Sequence, residues 1–212
     1  MNRTIALILI VIILLVGCQN ELKPSEMDPN DLPDERAFQD EFTRGFLQSV
    51  EETRPGYYPF LSKTGKYNMD FPASGVISKN FYSIKNNSYE NLGAAMLLEG
   101  VGSHISIIYY GNNSIGEIDS HLDFFQGRIG ESTTFEKIKN KNRFIYYSYM
   151  ELQGINNHVA YIQNINSIGG IEIIVNTKSE EFNQLSNSDR ENRISEIKNW
   201  IKSIQFINGS ED

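Results

Sequence analysis

The feature that most constrains the fold is a group of three short segments in the C-terminal half of the chain. Residues 143–150, 157–164 and 170–175 are rich in Ile, Val and Tyr that alternate with polar side chains, a pattern typical of β-strands. They are separated by the connections at 153–156 and 167–169, which are too short to hold a crossover helix. Consecutive strands must therefore run antiparallel, and this part of the chain predicts an antiparallel sheet.

Further strands are predicted upstream. Residues 65–72 alternate, with Tyr67, Met69 and Phe71 on one side, and Pro72 ends the run. Additional strands are expected near 81–85, 91–98 and 103–110.

Two capping-box pairs mark helices later in the chain. Ser114 with Glu117 predicts a helix over 115–126, and Ser188 with Glu191 predicts the start of a last helix. The apolar face of the last helix consists of Ile194, Ile197, Ile201 and Ile204, with Trp200 beside it. Strands and helices in this order predict an α+β fold, in which an antiparallel sheet is covered by helices.

Residues 34–52 predict an N-terminal amphipathic helix. Phe38, Phe42, Phe46 and Val50 recur every fourth position, which places them on one helical face. Docking of this face on the domain's own sheet is the preferred interpretation; docking on a partner or on a membrane surface is the alternative.

The N-terminus has the three parts of an export signal. Arg3 is followed by an apolar run over 5–16, and polar residues begin at Gln19. The run is short for a permanent membrane span, which needs about 20 apolar residues. Residues Leu15-Val16-Gly17-Cys18 resemble the lipobox of bacterial lipoproteins. That resemblance implies that the Cys18 thiol takes a diacylglyceryl group and becomes the first residue of the mature protein.

The chain therefore divides into three predicted regions. Residues 1–17 form a lipoprotein signal peptide, and residues 18–33 form an acidic tether that contains Pro24, Pro29 and Pro33. Residues 34–208 form a single α+β domain.

Charge and cysteine content exclude several classes of function. The chain has 19 Lys and Arg residues against 27 Asp and Glu residues and no basic stripe, so nucleic acid is not an expected partner. A single cysteine excludes an internal disulfide framework. His104, His121 and His158 lack metal-ligand spacing, so we expect no metal ion and no cofactor. Pairing of His121 with Asp119 and Asp123 at the surface is expected instead.

The sequence has no recognisable catalytic motif. Glu117, Asp119 and Asp123 are the carboxylates that a glycosidase-type hydrolase would need, but Glu117 is assigned to the helix cap. An envelope hydrolase is therefore kept only as an alternative.

Eleven tyrosines are the remaining feature. In 143–150, Tyr147 and Tyr149 share a face with Ile145, whereas Tyr146 lies on the other face with Phe144. Core packing is the preferred interpretation, and a ligand platform is the alternative.

Two resemblances extend this interpretation. The order of elements is similar to the PsbP/Mog1-like fold of the photosystem extrinsic proteins. Segments 41–46 and 56–64 resemble a family of uncharacterised Bacillus-type membrane lipoproteins, some of them prophage-encoded, for which no activity is known. We therefore expect an extracytoplasmic lipoprotein of a Gram-positive bacterium, anchored in the cell membrane by its lipid. We expect it to act as a non-catalytic binding or accessory protein for an unknown envelope protein or ligand. A prophage-type surface exclusion protein is the second alternative.

Overall fold

The computed structural model describes residues 22–98 and 100–207 of the chain. The predicted signal peptide, residues 1–17, and the predicted lipidation site Cys18 lie outside the described residues. Within the described ranges, ten strands form two antiparallel sheets, and no helix is both long and apolar enough to cross a membrane. The predicted α+β fold with an antiparallel sheet is confirmed.

The strands are β1 (Tyr57–Leu61), β2 (Tyr67–Pro72), β3 (Val76–Lys85), β4 (Tyr89–Leu98), β5 (Val101–Tyr110), β6 (Glu136–Asn140), β7 (Arg143–Leu152), β8 (Ile155–Asn164), β9 (Gly170–Lys178) and β10 (Gln205–Phe206). The smaller sheet has the order β1-β2-β10, and the larger has the order β3-β4-β5-β9-β8-β7-β6. The helices are α1 (Arg36–Gln39), α2 (Glu41–Arg44), α3 (Ile118–Ile129), α4 (Ser179–Asn183) and α5 (Asn187–Ser203).

Both faces of the larger sheet are covered by a hydrophobic cluster that includes a helix. We call the face that carries Ile145 and Tyr147 the inner face, because both lie in the main core together with Trp200 of α5. The opposite, outer face carries Tyr146, which belongs to a second cluster with Phe125 of α3. The predicted division of the tyrosines between two faces is therefore confirmed.

The β7–β8 hairpin shows how local residues set the register. Gln153 and Gly154 both have positive φ values, 51° and 75°, as a two-residue type I′ turn requires. This turn places His158 opposite Tyr149.

The predicted helix over 34–52 is wrong as a continuous element. Its first part forms the one-turn helices α1 and α2, because the Asp40 carboxylate accepts hydrogen bonds from the backbone N–H of Thr43 at 2.7 Å and from its hydroxyl at 2.6 Å. The Thr43 hydroxyl in turn accepts from the backbone N–H of Ile77 at 2.8 Å. Phe38 and Phe46 are nevertheless buried in the main core, so docking on the domain itself is correct.

The tether predicted over 18–33 is also shorter than expected. From Leu22 onward the chain forms two 3-10 turns, Pro24–Glu26 and Pro29–Asp31. Pro24 is buried, and Leu32 packs against the main core. These contacts are long-range, and therefore composition does not show them.

Helix boundaries differ from the capping-box predictions. Helix α5 begins two residues early, because the Ser186 hydroxyl accepts from the backbone N–H of Asp189 at 3.2 Å; Ser188 lies inside the helix. Ser114 donates to the Glu117 carboxylate at 3.1 Å, but a 3-10 turn at Ile115–Glu117 precedes α3. The sequence patterns also missed β1, β6, β10 and α4, which are short or sit at the edges of the sheets.

Candidate ligand-binding cleft

Five parts of the chain enclose a polar cleft of about 360 Å³ at one end of the larger sheet. These are the β1–β2 turn, the β3–β4 turn, the β5–α3 loop, the β8–β9 loop and the chain at the end of β10. Its amide and aromatic lining consists of Asn86, Asn87, Asn112, Asn164, Tyr109 and Phe206. Sequence reasoning identified the strand over 157–164 and the connection at 167–169 but missed this set, because no local pattern indicates which loops converge.

Gln163 fixes the frame of the cleft. This side chain is fully buried, and its Nε2 lies 3.3, 3.0 and 3.1 Å from the backbone carbonyl oxygens of Asn113, Asn164 and Gly169. The backbone N–H of Gly169 also donates to the Asn113 carbonyl at 2.7 Å. A buried amide with all these partners holds the two loops at a fixed separation.

Tyr161 completes this frame from the outer face. Its hydroxyl donates to Gln163 Oε1 at 3.0 Å and accepts from Asn113 Nδ2 at 2.9 Å. Burial raises the pKa of Tyr161 well above the ordinary value of a phenol, so the hydroxyl remains a neutral donor at physiological pH. Gly170 is required beside it, since a Cβ there would overlap the Tyr161 hydroxyl oxygen.

Aromatic rings and a tight turn shape the walls. Gly169, with φ of 130°, lies between the rings of Tyr109 and Phe206, which a Cβ there would meet at 3.5 and 3.4 Å. Asn86 and Asn87 have positive φ values of 48° and 51°, and asparagine tolerates this conformation better than most residues. The turn presents both amides at the edge of the cleft.

Lys66 is the one charged side chain among the described residues that line this cleft. The remaining polar groups are amides and the hydroxyls of Ser88, Ser167 and Tyr109, each of which can donate and accept hydrogen bonds. An uncharged ligand rich in hydroxyl or amide groups matches this lining.

The three histidines lie in separate environments. His158 is 1% exposed, and its Nδ1 lies 2.8 Å from the Tyr147 hydroxyl. Burial, aided by the charge of Arg193, lowers the pKa of His158 to about 3. His104 is exposed on the outer face and lines a separate groove. Among residues 22–98 and 100–207, no three His, Cys, Asp or Glu side chains form a group that could hold a metal ion.

His121 does not pair as predicted. Its Nε2 lies 4.0 Å from the Glu117 carboxylate rather than beside Asp119 and Asp123, and its ring stacks at 6.0 Å from that of Tyr161. Glu117 precedes His121 by one helical turn, which explains the choice of partner. Asp119 and Asp123 instead line a shallow groove over α3, away from the cleft.

A wider groove of about 690 Å³ crosses the outer face of β3, β4 and β5. Phe81 is 71% exposed there, and its side chain packs over Gly93, where a Cβ would meet it at 2.7 Å. The groove offers apolar area but lacks the convergent amides of the cleft, and we therefore select the cleft as the candidate site.

Comparison with known proteins identifies the family of this chain. A family model described as "Putative lipoprotein YvcA" matches residues 33–205. A Bacillus subtilis (strain 168) protein with the same name is 29% identical, over 88% of this chain and 83% of the relative. A solved structure from Bacteroides thetaiotaomicron VPI-5482 has a TM-score of 0.40 and 11% identity, over 72% of this chain and 49% of that one, so the match spans about half of its length. Because the family model covers most of the chain, the protein belongs to the YvcA-type lipoprotein family, whose Mog1p-like name is consistent with the PsbP/Mog1-like fold.

Proposed function

We propose that this protein is a lipid-anchored, extracytoplasmic binding protein of the cell envelope, and that the cleft at the end of the larger sheet is its ligand site. The observation that carries the proposal is the convergence of amides and ring edges, supplied by four separate segments, on a frame fixed by Gln163. Pre-formed polar groups favour binding because little conformational entropy is lost when the ligand arrives.

The proposed ligand class is uncharged and rich in hydroxyl and amide groups, such as an N-acetylated sugar oligomer of the envelope. Each Asn side chain supplies a donor and an acceptor on adjacent atoms, which suits vicinal hydroxyls and acetamido groups. The edges of Tyr109 and Phe206 supply apolar contact for the C–H faces of such a ligand.

The anchor part of the proposal rests on residues outside the described ranges. The lipobox resemblance of Leu15-Val16-Gly17-Cys18 and the lipoprotein name of the Bacillus subtilis relative both support it. A diacylglyceryl group on Cys18 supplies two acyl chains, which give stable attachment where one chain is marginal.

Titration with chitooligosaccharides, observed through the side-chain amide signals in NMR spectra, tests the site. Signals of Asn86, Asn87 and Asn112 are expected to shift on binding. Asn112→Ala removes hydrogen bonds worth about 0.5–1.5 kcal/mol and should weaken binding about 2- to 10-fold. Asn157→Ala is the matched control, because this half-buried residue lies away from the cleft and its amide donates to the carbonyl oxygen of Ile155 in its own strand. Saturable binding that is unchanged by Asn112→Ala would contradict the assignment of the cleft.

Two alternatives make different predictions. An envelope hydrolase would release soluble fragments from purified cell walls, whereas the proposed binding protein should release none above a heat-treated control. A surface exclusion protein would instead lower phage adsorption to cells that express it. Neither outcome is expected from a cleft that binds free envelope oligomers.

A further inference from the structure

The first described residues belong to the folded body. Pro24 is buried, and the backbone N–H of Met27 donates to its carbonyl oxygen at 3.4 Å. The turn Pro24–Glu26 contacts helix α2, and Leu32 reaches the main core. The chain is therefore fixed to the domain from Pro24 onward, ten residues before the predicted start of the domain at residue 34.

This packing shortens the distance between the domain and its membrane anchor, if Cys18 carries the lipid as proposed above. Only Gln19, Asn20 and Glu21 separate Cys18 from Leu22. The chain is fixed only from Pro24, six steps after Cys18, so at about 3.3–3.6 Å per residue the linker spans at most ~22 Å. A flexible tether of sixteen residues would instead reach about 53–58 Å when fully extended.

The surface beside this short linker is defined by Leu22, Lys23 and Lys63, and we call it the anchor-side surface. Leu22 is 61% exposed, and both lysines are exposed. Burial and the charge of Lys23 lower the pKa of Lys63, although Glu90 opposes this effect. The Lys63 ammonium donates to the carbonyl oxygen of Gly45, which directly follows helix α2, and the turn Pro24–Glu26 contacts the same helix. Lys23 and Lys63 therefore both lie beside α2, although the chain separates them by forty residues.

We infer that the anchor-side surface rests on the lipid headgroup layer, with Leu22 at the boundary of the apolar region and Lys23 and Lys63 against anionic headgroups. Exposed apolar and basic side chains next to an acyl anchor fit this occupant, since anionic headgroup phosphates attract lysine ammonium groups. The exposed acidic residues Glu26 and Asp28 follow in the same segment and offset the charge of the two lysines. The length of the linker, rather than a net positive charge, therefore holds this surface against the membrane.

The same geometry places the cleft near the membrane. Lys66, which lines the cleft, follows Lys63 by three residues, and the cleft also includes the β3–β4 turn at Asn86–Ser88. The backbone N–H of Lys63 donates to Glu90, next to that turn, at 3.0 Å. The cleft and the anchor-side surface therefore share one end of the domain, and the proposed ligand is met close to the headgroups.

Fluorescence quenching in the full-length lipidated protein tests this inference. Because the chain has one cysteine, which lipidation blocks, an introduced cysteine is a unique labelling site. Leu22→Cys and Lys63→Cys place a fluorophore on the anchor-side surface. Ile155→Cys is the control, because it is 38% exposed and begins β8, at the opposite end of the strand from the cleft residue Asn164.

Each labelled protein is reconstituted in phosphatidylglycerol and phosphatidylcholine vesicles that contain a headgroup spin label. Quenching at positions 22 and 63 is expected to be at least twice that at position 155, and a 15-residue Gly-Ser insertion between Asn20 and Glu21 should remove the difference. Equal quenching at all three positions, or a difference that survives the insertion, would overturn the inference. Mass spectrometry of the purified protein distinguishes the two proposals. Equal quenching with lipid on Cys18 would overturn only this inference, whereas an unmodified Cys18 would also overturn the proposed anchor.

Discussion

Thr64 binds the buried carboxylate of Glu90 twice, through its hydroxyl at 2.9 Å and its backbone N–H at 3.2 Å. Glu90 is fully buried on the inner face of β4 and also accepts from the backbone N–H of Lys63 at 3.0 Å and from the Tyr82 hydroxyl at 3.2 Å. This one side chain joins the β1–β2 turn of the smaller sheet to the larger sheet, and it therefore positions Lys63 and Lys66.

Glu90→Gln should lower the free energy of unfolding by about 2–3 kcal/mol, because the new NH2 group faces donors and leaves buried N–H and O–H groups unsatisfied. Chemical denaturation at pH 7 measures the loss. The matched control is Glu136→Gln, whose carboxylate is 57% exposed and pairs with Lys198, and a change below about 0.5 kcal/mol is expected there. Similar losses for both variants would contradict the bridging role of Glu90.

Gly170→Ala should destabilise the protein by about 2–3 kcal/mol, because the methyl group would overlap the Tyr161 hydroxyl and approach Asn113 Nδ2 at 2.9 Å. Removal of that hydroxyl in Tyr161→Phe should recover part of the loss, so the double variant should be less destabilised than the sum of the single changes. Gly127→Ala in α3 is the control, because a Cβ there meets nothing within 4 Å and should leave stability unchanged or raise it by up to about 1 kcal/mol. Strict additivity of Gly170→Ala and Tyr161→Phe would rule out the predicted overlap.

His158 should make stability depend on pH. Its pKa falls from 6.5 to about 3 on folding, so the unfolded chain binds the proton first, and stability is lost as pH drops from about 6.5 toward 3. Between pH 7 and pH 5 this loss should amount to about 2 kcal/mol. His158→Gln should remove that part of the pH dependence, whereas His104→Gln, at an exposed position, should retain it. An unchanged pH profile in His158→Gln would contradict the lowered pKa.

The N-terminal segment should contribute to stability in proportion to its burial. Phe38→Ala, at a fully buried ring 4.6 Å from the Tyr58 ring, should cost about 3–5 kcal/mol. Leu32→Ala, at a partly buried position, should cost about 1–2 kcal/mol, and the exposed control Leu22→Ala less than about 0.5 kcal/mol. Thermal unfolding checks the order, and a negligible effect of Leu32→Ala would restore the interpretation of 22–33 as a solvated tether.

Cys18→Ala should leave the precursor without lipid, because the thiol is the proposed acylation site. Metabolic labelling with a palmitate analogue should mark the wild-type protein but not the variant, and cell fractionation should move the variant out of the mature lipoprotein pool. Label retained by the variant would show that the anchor lies elsewhere.

The sequence by itself determined the features that depend on neighbouring residues. Alternation in 143–150 assigned Tyr147 and Tyr146 to opposite faces, because side-chain direction in a strand is a local property. The hairpin was predicted with a connection over 153–156, whereas its turn is confined to Gln153 and Gly154 and β8 begins at Ile155. Tertiary structure decided the rest. The aromatic stripe at Phe38 and Phe46 is buried without a long helix, since the Thr43 hydroxyl donates to Asp40 and accepts from the backbone N–H of Ile77 in β3.

The cleft is also a product of tertiary structure rather than of local sequence. Asn86 and Asn112 lie in turns and Asn164 ends strand β8, and no local pattern indicates that they converge. They meet because β3 to β5 and β8 to β9 are neighbours in one sheet, which brings turns far apart in sequence to one end. Packing also fixed Pro24 on the domain, and only that long-range contact reduced a sixteen-residue tether to a short linker beside the proposed anchor.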